Sequence, residues 1–501
     1  MLVGGSKLIK VDAQISTPLY LQVYQRIHEG IKSGQLQAQQ RLPSIRVLAS
    51  ELNVARGTIE LAYQMLLSEG IIESKGAKGT FVADTVKKLR TVHSLLENKG
   101  QYLDFEVENR KLIGNEQTTD KTKSEQNAKV ITNKFHELQP FQLGTPALDA
   151  FPTKLWARIS AKILRESRFD LLSYPDSQGV IELRQGLARY LMVSRGISCS
   201  AEQIFISFGH RASLHLITQC LFNHGDVGWF EEPGYHIARH FLQQIGLKLV
   251  PVSVDNNGLD VEEGKLLAPS ANFVLVTPAH QSPTNVVLSL ERRLALLEWA
   301  NKQGSWIIED DYDGEFHYQG RPLPALKSLD SQERVIYCGT FSKTLFPALR
   351  LSYIVVPPSV IAHFHSIAEV LGNQCPIWQQ QVTSQFINDG HFLRHLRKMR
   401  NLYRQRKHFL IEAISEVLPN IFEIQPQSGG MHILVKLVNG KSIGDYVKLA
   451  NEYGLKIESL NEWSIKNMVS PFLLLGFTNI KSKLEAVSLC EQLKIIDSKL
   501  V

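Results

Sequence analysis

The side chains in this sequence best placed to do chemistry fall in four short strings. Thr340-Phe341-Ser342-Lys343 follows an apolar run ending at Cys338, and Arg350 comes seven residues after the lysine. A lysine there can form a Schiff base with an aldehyde. Ser342 and Arg350, with Thr340 in the same string, can hold a phosphate. Trp306-Ile307-Ile308 runs into Glu309-Asp310-Asp311-Tyr312, placing acids at a strand end where one can pair with a protonated pyridine nitrogen. Gly209-His210-Arg211-Ala212-Ser213 opens a helix after the strand at Ile206, and N–H groups at a helix start make a phosphate cradle, here with His210 and Arg211 beside it. Pro233-Gly234-Tyr235 offers an aromatic ring to cover a flat heterocycle. A lysine, an acid, a phosphate cup and a covering ring are what a pyridoxal 5'-phosphate site requires. Taken singly, each string has a plainer reading: a solvated loop for Ser-x-Lys or Asp-Asp, ordinary packing for Tyr235, a surface ion pair for Arg350. Their order along one stretch of chain is what speaks for chemistry.

The elements that must position them are legible as short apolar runs. Ile204–Ser207, Val227–Glu231, Phe273–Thr277, Trp306–Ile308, Val335–Cys338 and Tyr353–Val356 have strand length, and amphipathic stretches such as Leu290 to Lys302 fall between most of them. This alternation, from about Leu138 to Val501, predicts a largely parallel sheet covered by helices. Ligands in such folds bind where strands end and loops begin, and the four strings cluster there.

The first 84 residues have a different grammar. Thr17-Pro18 suits a helix start, Leu21, Tyr24, Ile27 and Ile31 recur at helical spacing, and Gly34 ends the run. A second helix starts at Pro43-Ser44 with Val47, Leu48 and Leu52 on one face. A third carries Ile59, Ala62, Leu66 and Leu67 and stops at Gly70. Two β-prone pieces, Ile71 to Ser74 and Thr80 to Val82, flank Lys75-Gly76-Ala77-Lys78-Gly79. Helix, turn, helix and a Gly-bearing wing is the element order of a winged helix-turn-helix. Arg41, Arg46, Arg56, Thr58, Lys75 and Lys78 suit contacts to bases and phosphates. On composition alone, a small helical module with a solvated basic face fits equally well.

Bulk properties bound the rest. A length of 501 residues predicts more than one domain, and 44% hydrophobic with 21% charged residues is ordinary for globular protein. A net charge of +6 spread over that length is no nucleic-acid signal in itself. Residues 85–137 are rich in Lys, Glu, Asn, Gln and Thr and read as an interdomain linker, with a helical first part around Leu89 to Leu96. Cys199, Cys220, Cys338, Cys375 and Cys490 are scattered, which suggests free thiols in a reducing compartment and no metal site. Neither a signal peptide nor an apolar run of membrane-spanning length is visible, so the expectation is a cytoplasmic protein.

Two resemblances sharpen these readings. Gly34-Gln35-Leu36, Arg41-Leu42-Pro43-Ser44-Ile45-Arg46, Val54-Ala55-Arg56-Gly57-Thr58-Ile59, Ala62-Tyr63, Glu69-Gly70 and Gly79-Thr80-Phe81-Val82 resemble the GntR-type winged helix across residues 18–82. The resemblance implies a double-stranded DNA operator as partner, contacts from Arg46, Arg56 and Thr58, and a wing shaped by Gly79. From Leu138 onward the chain resembles a fold-type I aminotransferase. Glu232-Pro233-Gly234-Tyr235, Thr277-Pro278-Ala279-His280-Gln281, Pro283-Thr284, Glu309 to Phe316 and Gly339 to Leu345 are similar to the MocR/GabR branch of GntR regulators. The implied fold is thus an N-terminal α+β winged helix joined to a C-terminal α/β aminotransferase-like domain. By motif, Lys343 would be the Schiff-base lysine, Asp310 the partner of the pyridine nitrogen and Tyr312 the residue near the ring hydroxyl. Tyr235 would stack, Ser342 and Arg350 would hold phosphate, and Tyr174 would reach the phosphate of the other subunit in a homodimer. The implied function is a transcriptional regulator sensing a small amine, an amino-acid-like effector or the cofactor itself; the alternative is a working aminotransferase with an appended DNA-binding domain.

Three departures bear on what is sensed. Ser282 stands where the family usually has an aromatic, and His236-Ile237 where amine-sensing relatives can carry an arginine. Leu474, in Phe472-Leu473-Leu474-Leu475-Gly476-Phe477, sits where aminotransferases usually bind the substrate carboxylate through arginine, and no arginine follows Arg406. A carboxylate there would lose a contact of about 1.5–3 kcal/mol, which argues against amino-acid transamination as the main task.

Overall fold

The computed structural model describes residues 11–12, 19–68, 71–83, 138–166, 169–318, 324–466 and 470–500. Thr17-Pro18, Glu69-Gly70 and the whole 85–137 linker, with its expected helix, lie outside the described residues. The chain divides into two compact units, one holding the residues described up to 83 and the other those from 138 onward.

In the first unit, helices Leu19–Lys32, Ile45–Glu51 and Arg56–Ser68 precede β1 (Ile72–Ser74) and β2 (Thr80–Val82). Ser44 starts the second helix by accepting the Val47 N–H at 3.3 Å. Val23, Ile27, Leu48, Ile59, Ala62, Leu66 and Val82 close a core between helices and hairpin. Two expectations fail: Val47 is 49% exposed and Leu67 37% exposed. Each neighbours a buried leucine, Leu48 or Leu66, and one step along a helix turns a side chain about 100° away from the buried stripe. The hairpin pairs Ile72 with Val82 and Ser74 with Thr80. Its outer strand also meets the segment before the second helix: Gln39 N–H donates to Val82 O at 2.9 Å and Leu42 N–H to Thr80 O at 2.9 Å.

The second unit is built on an eight-stranded sheet of β3 (Ile204–Ser207), β4 (Val227–Glu232), β5 (Lys248–Asp255), β6 (Gly258–Leu259), β7 (Phe273–Val276), β8 (Trp306–Asp311), β9 (Val335–Thr340) and β10 (Ser352–Val355), in the order β3-β10-β9-β8-β7-β4-β5-β6. The five central strands β9, β8, β7, β4 and β5 pair in parallel, while β10 runs antiparallel to both β3 and β9. β8 is longer than its apolar run: it continues through Glu309, Asp310 and Asp311, which pair with Tyr337, Cys338 and Gly339. Those acids are therefore buried within the strand's end rather than in the loop after it.

A smaller antiparallel sheet follows, ordered β11 (Phe422–Ile424), β12 (His432–Leu437), β14 (Phe472–Gly476), β13 (Glu458–Ser459). Its residues alternate. Ile433, Val435, Leu473 and Leu475 join the core that includes Tyr403, Leu410, Tyr446 and Leu493 from the helices His391–Val417, Ile443–Glu452 and Lys483–Lys499. His432, Leu434, Phe472 and Leu474 turn to the opposite face. All five cysteines are free. Among the described residues no helix is long and apolar enough to cross a membrane.

Candidate functional site

Lys343 lies in the short helix Phe341–Thr344 that caps β9. Thr340 starts this helix by accepting the Ser342 N–H at 3.2 Å, and the Ser352 hydroxyl lies 2.9 Å from the Thr340 hydroxyl. At its other end the imidazole of His395 meets Thr344 O at 3.0 Å. With both ends held, the Lys343 side chain is directed inward, where its Nζ donates to the carbonyl of Gly144 at 2.6 Å. Burial pushes the ammonium below the ordinary lysine range, against the pull of the Asp313 and Asp310 charges. A lysine biased toward its neutral amine is a nucleophile for aldehydes.

Around it the expected parts converge. The Asp310 carboxylate is 4% exposed, and His210 Nε2 sits 3.0 Å from its Oδ2, off the line a hydrogen bond requires. The Tyr235 ring lies 6.1 Å from the His210 ring and 5.9 Å from Trp463. Burial and Asp310 push the Tyr235 phenol up to about 12. Tyr312, just past β8, buries its hydroxyl beside Ser282 without a well-formed hydrogen bond, and Asp313 Oδ2 is buried without a partner as well. The other Asp313 oxygen meets His280 Nδ1 at 2.9 Å, and His280 stacks on His317 with ring centroids 5.7 Å apart.

The anion-binding end is equally defined. Gly209 (φ +83°) precedes the helix His210–Leu221, and a Cβ there would stand 2.6 Å from the Arg350 guanidinium. Arg350 itself occupies the left-handed region at φ +54°, donates to Phe208 O at 3.3 Å and lies over the Phe208 ring. A non-glycine residue held in that region is strained by about 1–3 kcal/mol, and the strain here brings the guanidinium over a helix N-terminus.

Pyridoxal 5'-phosphate fits this set: an amine-leaning lysine, a buried acid, an orphaned phenol, a covering ring, and an arginine packed against a helix start at a glycine where a Cβ would crowd the guanidinium. Arg211 is exposed on the first turn of its helix, and Tyr174 is 90% exposed, so this chain's own fold does not bring Tyr174 to the others. Sequence reasoning missed Gly144, Asp313 and Trp463. Gly144 acts through a backbone carbonyl, which no residue type announces. At two of the departures, His236 packs edge-on against Trp463 at 4.8 Å with its Nδ1 buried and unpartnered, and Leu474 is fully buried.

In the first unit, Arg41, Arg46 and Arg56 are exposed, and Arg56 and Thr58 stand in the first turn of helix Arg56–Ser68, with the Thr58 N–H donating to Ala55 O at 3.0 Å. Lys75 pairs with Glu73 at 3.0 Å and lies over the Phe81 ring, so it braces the wing, while Lys78 is exposed at the wing tip. Gly79 adopts φ +102°, and a Cβ there would meet the Arg41 guanidinium at 3.0 Å. The arrangement presents a cationic helix start next to a cationic wing, the layout of a groove-reading winged helix.

Comparison with known proteins agrees with both geometries. Residues 19–82 match the model of bacterial regulatory proteins of the gntR family, and residues 143–467 match that of aminotransferase class I and II. The chain is 33% identical over 476 residues to the probable rhizopine catabolism regulatory protein MocR of Rhizobium meliloti, covering 95% of this chain and 93% of that protein. It is 31% identical to the HTH-type transcriptional regulator TauR of Rhodobacter capsulatus, over 81% of each. Among solved structures, Pyrococcus horikoshii kynurenine aminotransferase in complex with PMP superposes with a TM-score of 0.65 at 27% identity, over 72% of this chain and 91% of that one. The chain belongs to the MocR-like transcriptional regulators of the gntR family, in which a DNA-binding winged helix is joined to an aminotransferase class I/II domain of the pyridoxal-phosphate type.

Proposed function

We propose that this regulator responds to a small amine received at Lys343, with the winged helix of residues 1–84 reading the operator and residues 138–501 forming the receptor, joined by the 85–137 linker. Bound pyridoxal phosphate would supply an aldehyde able to exchange the lysine for a ligand amine. The protein's part is to hold it. Asp310 would pair with the ring nitrogen, Tyr312 would approach the ring oxygen and Tyr235 would cover the ring face. Arg350, Ser342, Thr340 and the first turn with His210 and Arg211 would hold the phosphate. Tyr174, exposed on one protomer, serves the site of a second in a homodimer, which would also present two winged helices to paired half-sites.

The observation that carries the receptor reading is Leu474, fully buried where a transaminase would keep its carboxylate-binding arginine. A sensor needs only a ligand whose affinity differs between two arrangements of the protein. Lys343→Ala tests this. The variant should bind operator DNA like the native chain, lose the visible absorbance of lysine-bound cofactor, and lose the effect of amines on DNA binding. Retained amine response in the variant would refute the role of Lys343.

A further inference from the structure

The face of the small sheet that turns away from the helices carries an acid where a carboxylate receptor would need a base. Leu474 pairs with Leu434 on β12 and with Glu458 on β13, and directly opposed residues share a face. Leu434, Leu474 and Trp463 form one buried cluster against which Tyr235, Leu143 and Phe472 pack. Leu143 precedes the glycine whose carbonyl receives Lys343, and Tyr235 is the ring beside His210 and Asp310. The cluster therefore forms a wall that touches both Tyr235 and the segment whose carbonyl holds Lys343. Glu458 stands at the edge of this wall, its Oε2 accepting from Trp463 Nε1 at 3.2 Å. Its charge reaches the Tyr235 phenol, and burial together with Glu462 raises its own pKa. Among the described residues, a cation on the same face is Lys436, one pleat beyond Leu434 and opposite Phe472, while the exposed Lys456, two residues before Glu458, offsets part of the rise in its pKa. Arg239 is engaged with the Trp463 carbonyl.

We infer that the amine recognised beside Lys343 carries no carboxylate, and that Glu458 accepts a hydrogen bond from a hydroxyl or ammonium group at the ligand's far end. This rests on the amine-receptor reading above and narrows its ligand class. A ligand carboxylate would find no donor on Leu474 and a second anion at Glu458, so the wall selects by repulsion as well as by fit. Sequence alone hides this, because Glu458 reaches Leu474 only through strand pairing.

The test is titration of the cofactor-loaded full chain, read by visible absorbance, with L-alaninol, 1,3-diaminopropane and L-alanine. Alaninol and alanine differ only in a hydroxymethyl group for a carboxylate. We expect alaninol or the diamine to half-saturate at a concentration lower than alanine by about tenfold or more. Glu458→Gln, which can still accept from Trp463, should narrow that gap, and Leu474→Arg should reverse it, with thermal melting reporting whether each variant folds. The native-chain comparison decides if Leu474→Arg does not fold. Alanine binding as well as or better than both carboxylate-free amines, or no response to either of them, overturns the inference. A response to alanine alone leaves amine sensing in place, whereas loaded protein that lacks lysine-bound absorbance before any ligand is added refutes the underlying reading instead.

Discussion

Lys343 sits among groups that each bias it in a definable direction. Burial favours the neutral amine, Asp310 and Asp313 oppose that, and the Gly144 carbonyl fixes where the nitrogen points. If Arg350 holds the cofactor's phosphate as proposed, Arg350→Ala should weaken cofactor affinity by about 10–100-fold, the size of a lost charged hydrogen bond. Titration with pyridoxal phosphate checks this, and Arg350→Lys should recover only part of the loss because a point charge cannot reproduce the planar fork. Glu309 makes a separate prediction about pH. Burial raises its carboxyl from 4.5 to about 7, and it accepts the backbone N–H groups of Leu326 at 2.8 Å and Lys327 at 2.7 Å. Between those two values the folded chain holds a proton that the unfolded chain has released. This group's contribution to stability therefore falls as pH rises through that window, by at most about 1.4 kcal/mol per pH unit. Glu309→Gln should flatten that part of the dependence of melting temperature on pH; an unchanged slope would show that Glu309 does not titrate there. At this scale the sequence pointed to side chains that the fold brings together, as at Lys343 and Asp310, but not to Asp313 or Trp463, to which the motifs gave no role. It was silent where a backbone atom or a cross-strand neighbour acts, as at Gly144 and Glu458.

Elements set these side chains by stopping where they do. β9 ends in a residue whose hydroxyl caps the next helix, and Phe208-Gly209 follow the end of β3, so that a helix start meets Arg350. Gly209→Ala places a Cβ against the guanidinium in a backbone region unsuited to alanine, and should lower cofactor affinity while leaving DNA binding unchanged; equal affinity would show that the cradle tolerates the methyl group. Four of the five central strands were legible as apolar runs because both faces of the large sheet are covered there, whereas β5 was missed because it carries Lys248 and Pro251 and buries little. Strand ends were not legible, since β8 carries three acids whose pairing with β9 keeps them in the strand. Of the small sheet only the strand Phe472 to Phe477 was read, and that through resemblance, because one face is apolar core and the other turns away from it, so the alternation carries two meanings. In the winged helix, the periodic reading placed the buried stripe correctly at Leu48, Ile59 and Leu66 and overreached at Val47 and Leu67, whose exposure reflects the narrowness of a stripe on short helices.

The whole chain is two separately packed units with separate tasks, and its stability should show it. Calorimetry is expected to resolve two transitions, with pyridoxal phosphate raising only that of the larger unit, by an amount growing with the logarithm of its concentration. A rise in both would mean that the units unfold together. DNA binding should fall with salt as phosphate contacts are screened, and Arg56→Ala should weaken it by about 1–3 kcal/mol with the cofactor spectrum unaltered. The most direct measurement joins the two scales: borohydride reduction of the full chain loaded with pyridoxal phosphate, followed by peptide mapping by mass spectrometry. We expect the pyridoxyl mass on the peptide containing Lys343 and on no other. Colourless protein with no mass added, or label fixed at a different lysine, would contradict the central claim that Lys343 is the receptor.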